Sequence, residues 1–205
     1  MKMIKWKILL ITVIVCILPV LLGLILWDKL PDTMPIHFNI YNEADNFSSK
    51  GFAVFILPLI MVVVQLFSCF IYDINAYNNG ERIKFERVVK WIIPVMTIIL
   101  QTIIIGYSLG YNIDIRRVVA LLVGVMFIVL GNYFPKLDYV KNYDVDTSLA
   151  RKINRFIGIM TVVLGFIFLI SAFLPPVSTI ISLFLLIPYG IITFVYSIVL
   201  IKRNK

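Results

Sequence analysis

The chain has 205 residues, of which 61% are hydrophobic and 15% charged, with a mean hydropathy of +0.99 and a net charge of +8. A soluble domain is nearer half apolar and a quarter charged, so this composition argues against a water-soluble fold. The positive balance does not point to nucleic acid either, because the basic residues flank apolar runs, where they serve as orientation signals.

The first apolar run, Ile8 to Trp27, holds fifteen Leu, Ile or Val residues and no charge. Each such residue favours insertion by about 0.3–0.6 kcal/mol, which outweighs Pro19 and Gly23. Lys2, Lys5 and Lys7 precede the run as they would in a secretory signal. It is longer than a signal core, however, and lacks a small-residue cleavage site, so it is expected to stay as an anchor. Further uncharged runs follow at Phe52 to Tyr72, Trp91 to Tyr111, Val118 to Phe134, Phe156 to Leu174 and Val177 to Ile201. Each is long enough to cross a hydrocarbon core of about 30 Å as a helix. The predicted fold is all-α: a polytopic bundle of six transmembrane helices in a cell membrane. Pro175 and Pro176 separate the last two runs, which makes them an antiparallel hairpin.

Lys and Arg divide unevenly between alternate connections. Fifteen fall at the two termini and in the segments 81–90 and 136–155, against four, Lys29, Lys50, Arg116 and Arg117, on the other side. The positive-inside rule then puts both termini in the cytoplasm and the segment Asp28 to Lys50 outside. Trp6, Trp27, Tyr72, Trp91, Tyr111 and Tyr133 lie at or near run ends, where amphipathic rings favour the interface. Small residues recur at helical spacing in Gly106 and Gly110, Gly124 and Gly131, and Gly158 and Gly165, a pattern that brings helix backbones close together. Intramolecular packing is the expected use. The two cysteines, Cys16 and Cys69, fall inside spans and are read as packing residues.

The connections differ in character. Segment 28–50 is dense in turn formers such as Pro31, Pro35, Asn42 and Asp45 and is large enough for a small ordered motif. Segment 81–90 reads as a short interfacial helix with Arg82, Glu86 and Lys90 at i,i+4 spacing. Asp146, Thr147 or Ser148 is placed to cap the helix entering the fifth span. Pro19 and Pro58 each lie six to eight residues from the external segment, so two kinks could open a crevice beneath it.

Chemistry is sparse. His37 is the sole histidine, no nucleophile has an evident base, and no glycine-rich phosphate loop follows a strand, so an enzyme is not expected. No metal or cofactor is expected: the oxygen-rich stretch Asn42, Glu43, Asp45, Asn46 and Ser48 does not fit the twelve-residue calcium loop. The apolar runs carry no ionisable residue, which disfavours proton-coupled transport. An alternative function, a small transporter or permease component for a hydrophobic or lipid-like solute, would use Gln65, Gln101 and Asn132 along a path.

The stretch from Leu30 through Pro31, Asp32, Pro35, His37, Phe38 and Asn39 to Glu43, Asp45, Lys50 and Gly51 resembles the signature of a bacterial domain of unknown function. That domain forms the N-terminal part of the SdpI family of toxin-immunity membrane proteins. A second stretch, Gly131, Asn132, Tyr133, Phe134, Pro135 and Lys136, is similar to the family's motif at the end of its fourth span. Such proteins then continue with a Gly-Ile-Arg-Thr-Pro-Trp type of segment and a Thr-His pair, and residues 138–154 hold neither. The resemblance implies a unit 1–111 with three spans and the external loop 28–50, and an SdpI-like three-span unit 112–205. It also implies protection against a secreted antimicrobial peptide. Asp32, Pro35, His37, Phe38, Asn39, Glu43, Asp45 and Lys50 would then meet the peptide outside, with Gly131, Asn132, Pro135 and Lys136 as the second motif. Partners so implied are the bilayer, a peptide toxin and a transcriptional repressor held on the cytoplasmic side, with no direct nucleic-acid contact.

Overall fold

The computed structural model describes residues 4–79, 83–136 and 147–204. Six stretches are helical and apolar enough to cross a membrane: Trp6–Ile25, Phe52–Tyr77, Arg87–Ser108, Ile115–Lys136, Ser148–Ser171 and Pro176–Arg203. Each contains one of the six runs read from the sequence or most of it, and the protein is a multi-pass cell-membrane protein. A large part of the apolar surface points outward, Leu10, Ile14, Leu21, Phe67 and Phe194 among it. That distribution suits lipid, where apolar side chains gain nothing by turning inward and helices associate through small and polar residues instead.

The chain divides into two compact units, Met1–Asn78 with Glu86–Arg116, and Asn79–Phe85 with Arg117–Lys205. The first holds helix α1 (Trp6–Ile25), strands β1 (Thr33–Phe38) and β2 (Ala44–Ser49), a π-turn (Phe52–Ile56) leading into α2 (Leu57–Asn79, its last residue in the other unit), and α3 (Ile83–Ser108, its first three residues in the other unit). Its core has two ends. At one, Leu30 and Met34 beside the hairpin pack with Ala53, Val54 and Ile105. At the other, Ile4 and Leu9 pack with Cys69, and Trp6 meets Phe70 edge-on at 6.3 Å.

The π-turn and its partner follow from one proline. Pro58 has no N–H to give, and in an i→i+5 pattern the acceptor it leaves is the carbonyl of Ala53. Gln101 Nε2 donates to that oxygen at 2.7 Å, joining α3 to the π-turn ahead of α2. Beside it Gly23 of α1 lies so near the π-turn that a Cβ there would be 2.6 Å from Val54 Cγ1. Below the hairpin, therefore, α1 and the start of α2 touch.

In the second unit α4 (Ile115–Tyr133, its first two residues in the other unit) packs against α5 (Thr147–Ser171) through four glycines. A Cβ at Gly131 would fall 2.7 Å from the carbonyl oxygen of Gly158, and one at Gly165 would fall 2.7 Å from that of Gly124. The seven-residue spacings thus form one intramolecular seam. The pair Gly106 and Gly110 is used differently: Gly110, at φ 88°, lies just past the end of α3 and turns the chain, while Tyr111 N donates to the Gly106 carbonyl at 3.1 Å.

Two expectations need correction, and one gains an element. Residues 83–90 are the first turns of α3 itself and not a separate interfacial helix, with Lys90 buried. The expected all-α bundle carries one addition, an antiparallel pair formed by β1 and β2. The sixth run is two helices, α6 (Pro176–Phe184) and α7 (Leu186–Arg203), divided at Leu185 just ahead of Pro188. Pro175 and Pro176 do start α6, with Ser178 Oγ donating to the carbonyls of Pro175 and Ser171. The side chains of Arg82, Glu86, Asp146 and Thr147, which carried the other pairing and capping expectations, lie outside the described residues.

Candidate functional site

The segment between α1 and α2 is a hairpin whose sequence fixes its turn. Asn39 Oδ1 accepts from the backbone N–H groups of Tyr41 at 2.9 Å and Glu43 at 3.0 Å, and its Nδ2 donates to Glu43 Oε2 at 2.9 Å. An Asx-type turn of this kind is what asparagine does well, since its short amide mimics a backbone turn. Asn42 completes the reversal at φ 65°, a conformation asparagine tolerates better than most residues.

Long-range ties hold the hairpin in place. Asn42 Nδ2 donates to the Ile113 carbonyl at 2.9 Å, and its Oδ1 accepts from Ile115 N at 2.7 Å. One side chain thus satisfies the loop after α3 and the first amide of α4, 73 residues away. Phe38 meets Tyr107 of α3 edge-on at 4.8 Å, and Met34 is fully buried. At the base, Lys50 Nζ lies 3.2 Å from Asp32 Oδ1 and 5.0 Å from the Trp27 ring centroid, and its N–H donates to the Asp32 carbonyl at 2.8 Å.

Of the eight hairpin residues singled out, Asp32 with Lys50, His37 with Asp45 and Asn39 with Glu43 are therefore direct partners. His37 Nδ1 is 2.5 Å from Asp45 Oδ1, both open to solvent. Pro35 is buried, and Phe38 is spent on Tyr107. The exposed surface combines carboxylates (Asp32, Glu43, Asp45) with Tyr41 and Phe47, chemistry that accepts hydrogen bonds from cations and offers apolar contact. No group of three His, Cys, Asp or Glu able to hold a metal exists among the described residues.

The second motif ends α4. Gly131 is buried in the α4–α5 seam, and Pro135 continues it, its Cδ 2.9 Å from where a Gly158 Cβ would be. Asn132 is exposed, and Lys136 Nζ sits 4.7 Å over the Tyr133 ring. In this unit the motif's glycine and proline act as packing residues.

Comparison with known proteins adds to this geometry. Residues 14–62 match the family described as Domain of unknown function (DUF1648), a domain found in SdpI-like proteins, and that stretch spans most of α1, the hairpin and the start of α2. Across 172 residues, 80% of each chain, the protein is 27% identical to the immunity protein SdpI of Bacillus subtilis (strain 168). The chain is similar to that immunity protein over most of its length. No solved structure matches it. All eight hairpin residues fall within the family match, whereas the second motif lies beyond it.

One feature that neither the apolar runs nor the SdpI resemblance singles out is a buried ion pair. Asp73, late in α2, and Lys90, early in α3, join through Oδ1 and Nζ, and both side chains are withdrawn from solvent. Asp73 Oδ2 also accepts from the backbone N–H of Lys5 at 3.1 Å, at the start of α1. Gln65 Nε2 donates to the Lys90 carbonyl at 2.9 Å. Gln65 and Gln101, two of the three path residues of the transporter alternative, thus both bond to backbone across helices. The pair stood one residue outside each uncharged run, Tyr72 and Trp91 being the run ends, and an i,i+4 pairing with Glu86 explained Lys90 without it. Two isolated opposite charges bordering consecutive spans were the available signal.

Proposed function

We propose that the protein is a membrane immunity protein that protects its cell by binding a secreted antimicrobial peptide at the hairpin of residues 28–50. The observation that carries this reading is the likeness to the immunity protein SdpI over 80% of both chains. The hairpin supports it: a tied, ordered element between two spans, with exposed carboxylates and aromatic groups on a rigid base, is the usual form of a recognition loop. Fifteen of nineteen Lys and Arg lie on the opposite set of connections, which supports an external hairpin and cytoplasmic termini. The cytoplasmic segments, rich in Lys and Arg, are then the surface available to a repressor. Residues 1–111 carry recognition in this reading, and residues 112–205 complete the bundle.

The test is a producer strain lacking the gene. Loss should raise sensitivity to at least one of the strain's own secreted peptides, and a plasmid copy should restore protection. A copy carrying His37→Ala with Asp45→Asn should reach the membrane at normal levels yet protect less. Unchanged sensitivity of the deletion strain to every secreted peptide of the producer rejects the reading.

A further inference from the structure

We infer that the bound peptide pairs as an added strand with the outer edge of β2, backbone to backbone, with its cationic side chains against Asp32, Glu43 and Asp45. This rests on the peptide-binding reading above and specifies its mode. The register decides which edge is open. Thr33 pairs with Ser49, Met34 with Ser48 and Pro35 with Phe47, and Lys50 N donates to the Asp32 carbonyl. Hydrogen-bonded and non-hydrogen-bonded pairs alternate along an antiparallel ladder. The Asp32–Lys50 pair being bonded, Thr33–Ser49 and Pro35–Phe47 are not, and the backbone groups of those four residues turn away from the partner strand.

The two edges are then unlike. On β1 the outward position falls on Pro35, which has no N–H, so that edge is blocked in the way edge strands commonly are. On β2 the outward groups belong to Phe47 and Ser49, non-proline residues in a strand exposed along most of its length, with Phe47 55% exposed. The described sheet has two strands only, leaving the far side of β2 without a neighbour in it. Six residues of strand extend about 20 Å, room for a peptide segment of similar length. Charge complementarity selects the occupant. Residues 28–50 hold four carboxylates against two lysines in a chain whose net charge is +8, so the hairpin is the locally acidic part of a basic protein. An extended cationic peptide with alternating apolar residues fits both the edge and the exposed Phe47 ring.

The test uses the full chain in phosphatidylcholine nanodiscs and a dansylated octapeptide of alternating Lys and Val. Its counterpart, N-methylated at every second residue, keeps charge and side chains but cannot pair along one edge. The expected result is binding above that to empty nanodiscs, at least tenfold weaker for the methylated peptide, and at least tenfold weaker to a Phe47→Pro variant. Proline is already accommodated opposite that position, at Pro35. The comparison of the two peptides on the unaltered protein holds even where Phe47→Pro does not fold. Equal binding of both peptides overturns strand addition while leaving peptide recognition standing. Binding of neither above empty nanodiscs overturns strand addition as well, and sensitivity of the deletion strain then decides separately whether the immunity reading survives. A cross-link through β2 between two copies of the chain, formed without peptide, also overturns it.

Discussion

Lys90 and Asp73 stand on successive helices, α3 and α2, and neutralise one another where neither side chain reaches solvent. Taking two charges out of water is costly, and their attraction repays it only while both are present and their remaining valences are satisfied. Asp73 meets that condition by also accepting from Lys5 N, which binds the start of α1 to the same point and sets a carboxylate at the positive end of that helix. Three helices of the first unit therefore converge on one carboxylate, at the end of α2 and α3 away from the hairpin.

Removing one partner leaves the other charge buried alone. Lys90→Met or Asp73→Asn is expected to lower the stability of the detergent-solubilised protein by about 3–5 kcal/mol, the range for breaking a buried pair. The double variant should recover more than half of that loss. Unfolding followed by circular dichroism across all four proteins measures the coupling, and additive losses in the double variant would reject the buried-pair account.

The glycine seam makes a graded prediction. A methyl group at Gly131, Gly158, Gly124 or Gly165 meets backbone atoms at 2.6–2.9 Å, which cannot give way, whereas at Gly106 it meets the flexible end of Ile113 at 2.9 Å. Substitution by alanine should cost about 1–3 kcal/mol at each of the four seam positions, as overpacking does, and clearly less at Gly106. Equal thermal shifts at Gly106 and Gly131 would contradict the seam.

Much of this was legible in the sequence, for physical reasons that differ by element. The six spans follow from apolar length alone, because lipid demands continuous hydrophobicity over a fixed distance. The seam was legible as Gly124, Gly131, Gly158 and Gly165 at helical spacing, though not which helices they would join. The hairpin was legible as an ordered motif from its turn formers. Its strands were not, because β1 carries Pro35 and β2 reads Ala-Asp-Asn-Phe-Ser-Ser, poor in β-branched residues. What forms them is tertiary: Met34 enters the core and Asn42 reaches Ile113 and Ile115. Nothing local in the sequence announces that Asn42 ties down the start of α4. The buried pair escaped because uncharged runs were delimited by the charges themselves, so Asp73 and Lys90 were placed at the border by construction.

Asn42 gives the third prediction. Asn42→Ala loses both long-range hydrogen bonds and puts a less tolerant residue at φ 65°. Loss of a helix-terminal side-chain bond costs about 0.5–2 kcal/mol, and the positive φ adds to it. Asn42→Gly loses the same bonds but not the conformational ease, so it should fall between wild type and alanine. Hydrogen exchange at the Ile115 amide is the direct reading and should accelerate in both variants. Protection at Ile115 that does not change on either substitution would remove Asn42 from the tie.

Orientation is the last prediction, and the proposed function depends on it. Cys16 and Cys69 are buried, so a membrane-impermeant maleimide has no accessible native thiol among the described residues and single introduced cysteines report cleanly. Tyr41 is 64% exposed at the hairpin tip and Arg203 is exposed at the end of α7. The proposed orientation, with the fifteen basic residues on the cytoplasmic side, predicts that Tyr41→Cys labels from outside intact cells. Lys84→Cys, Lys141→Cys and Arg203→Cys should label only after permeabilisation. The reverse pattern would turn the hairpin toward the cytoplasm, out of reach of any secreted peptide, and the immunity reading would fall with it even though every contact within the first unit remained as described.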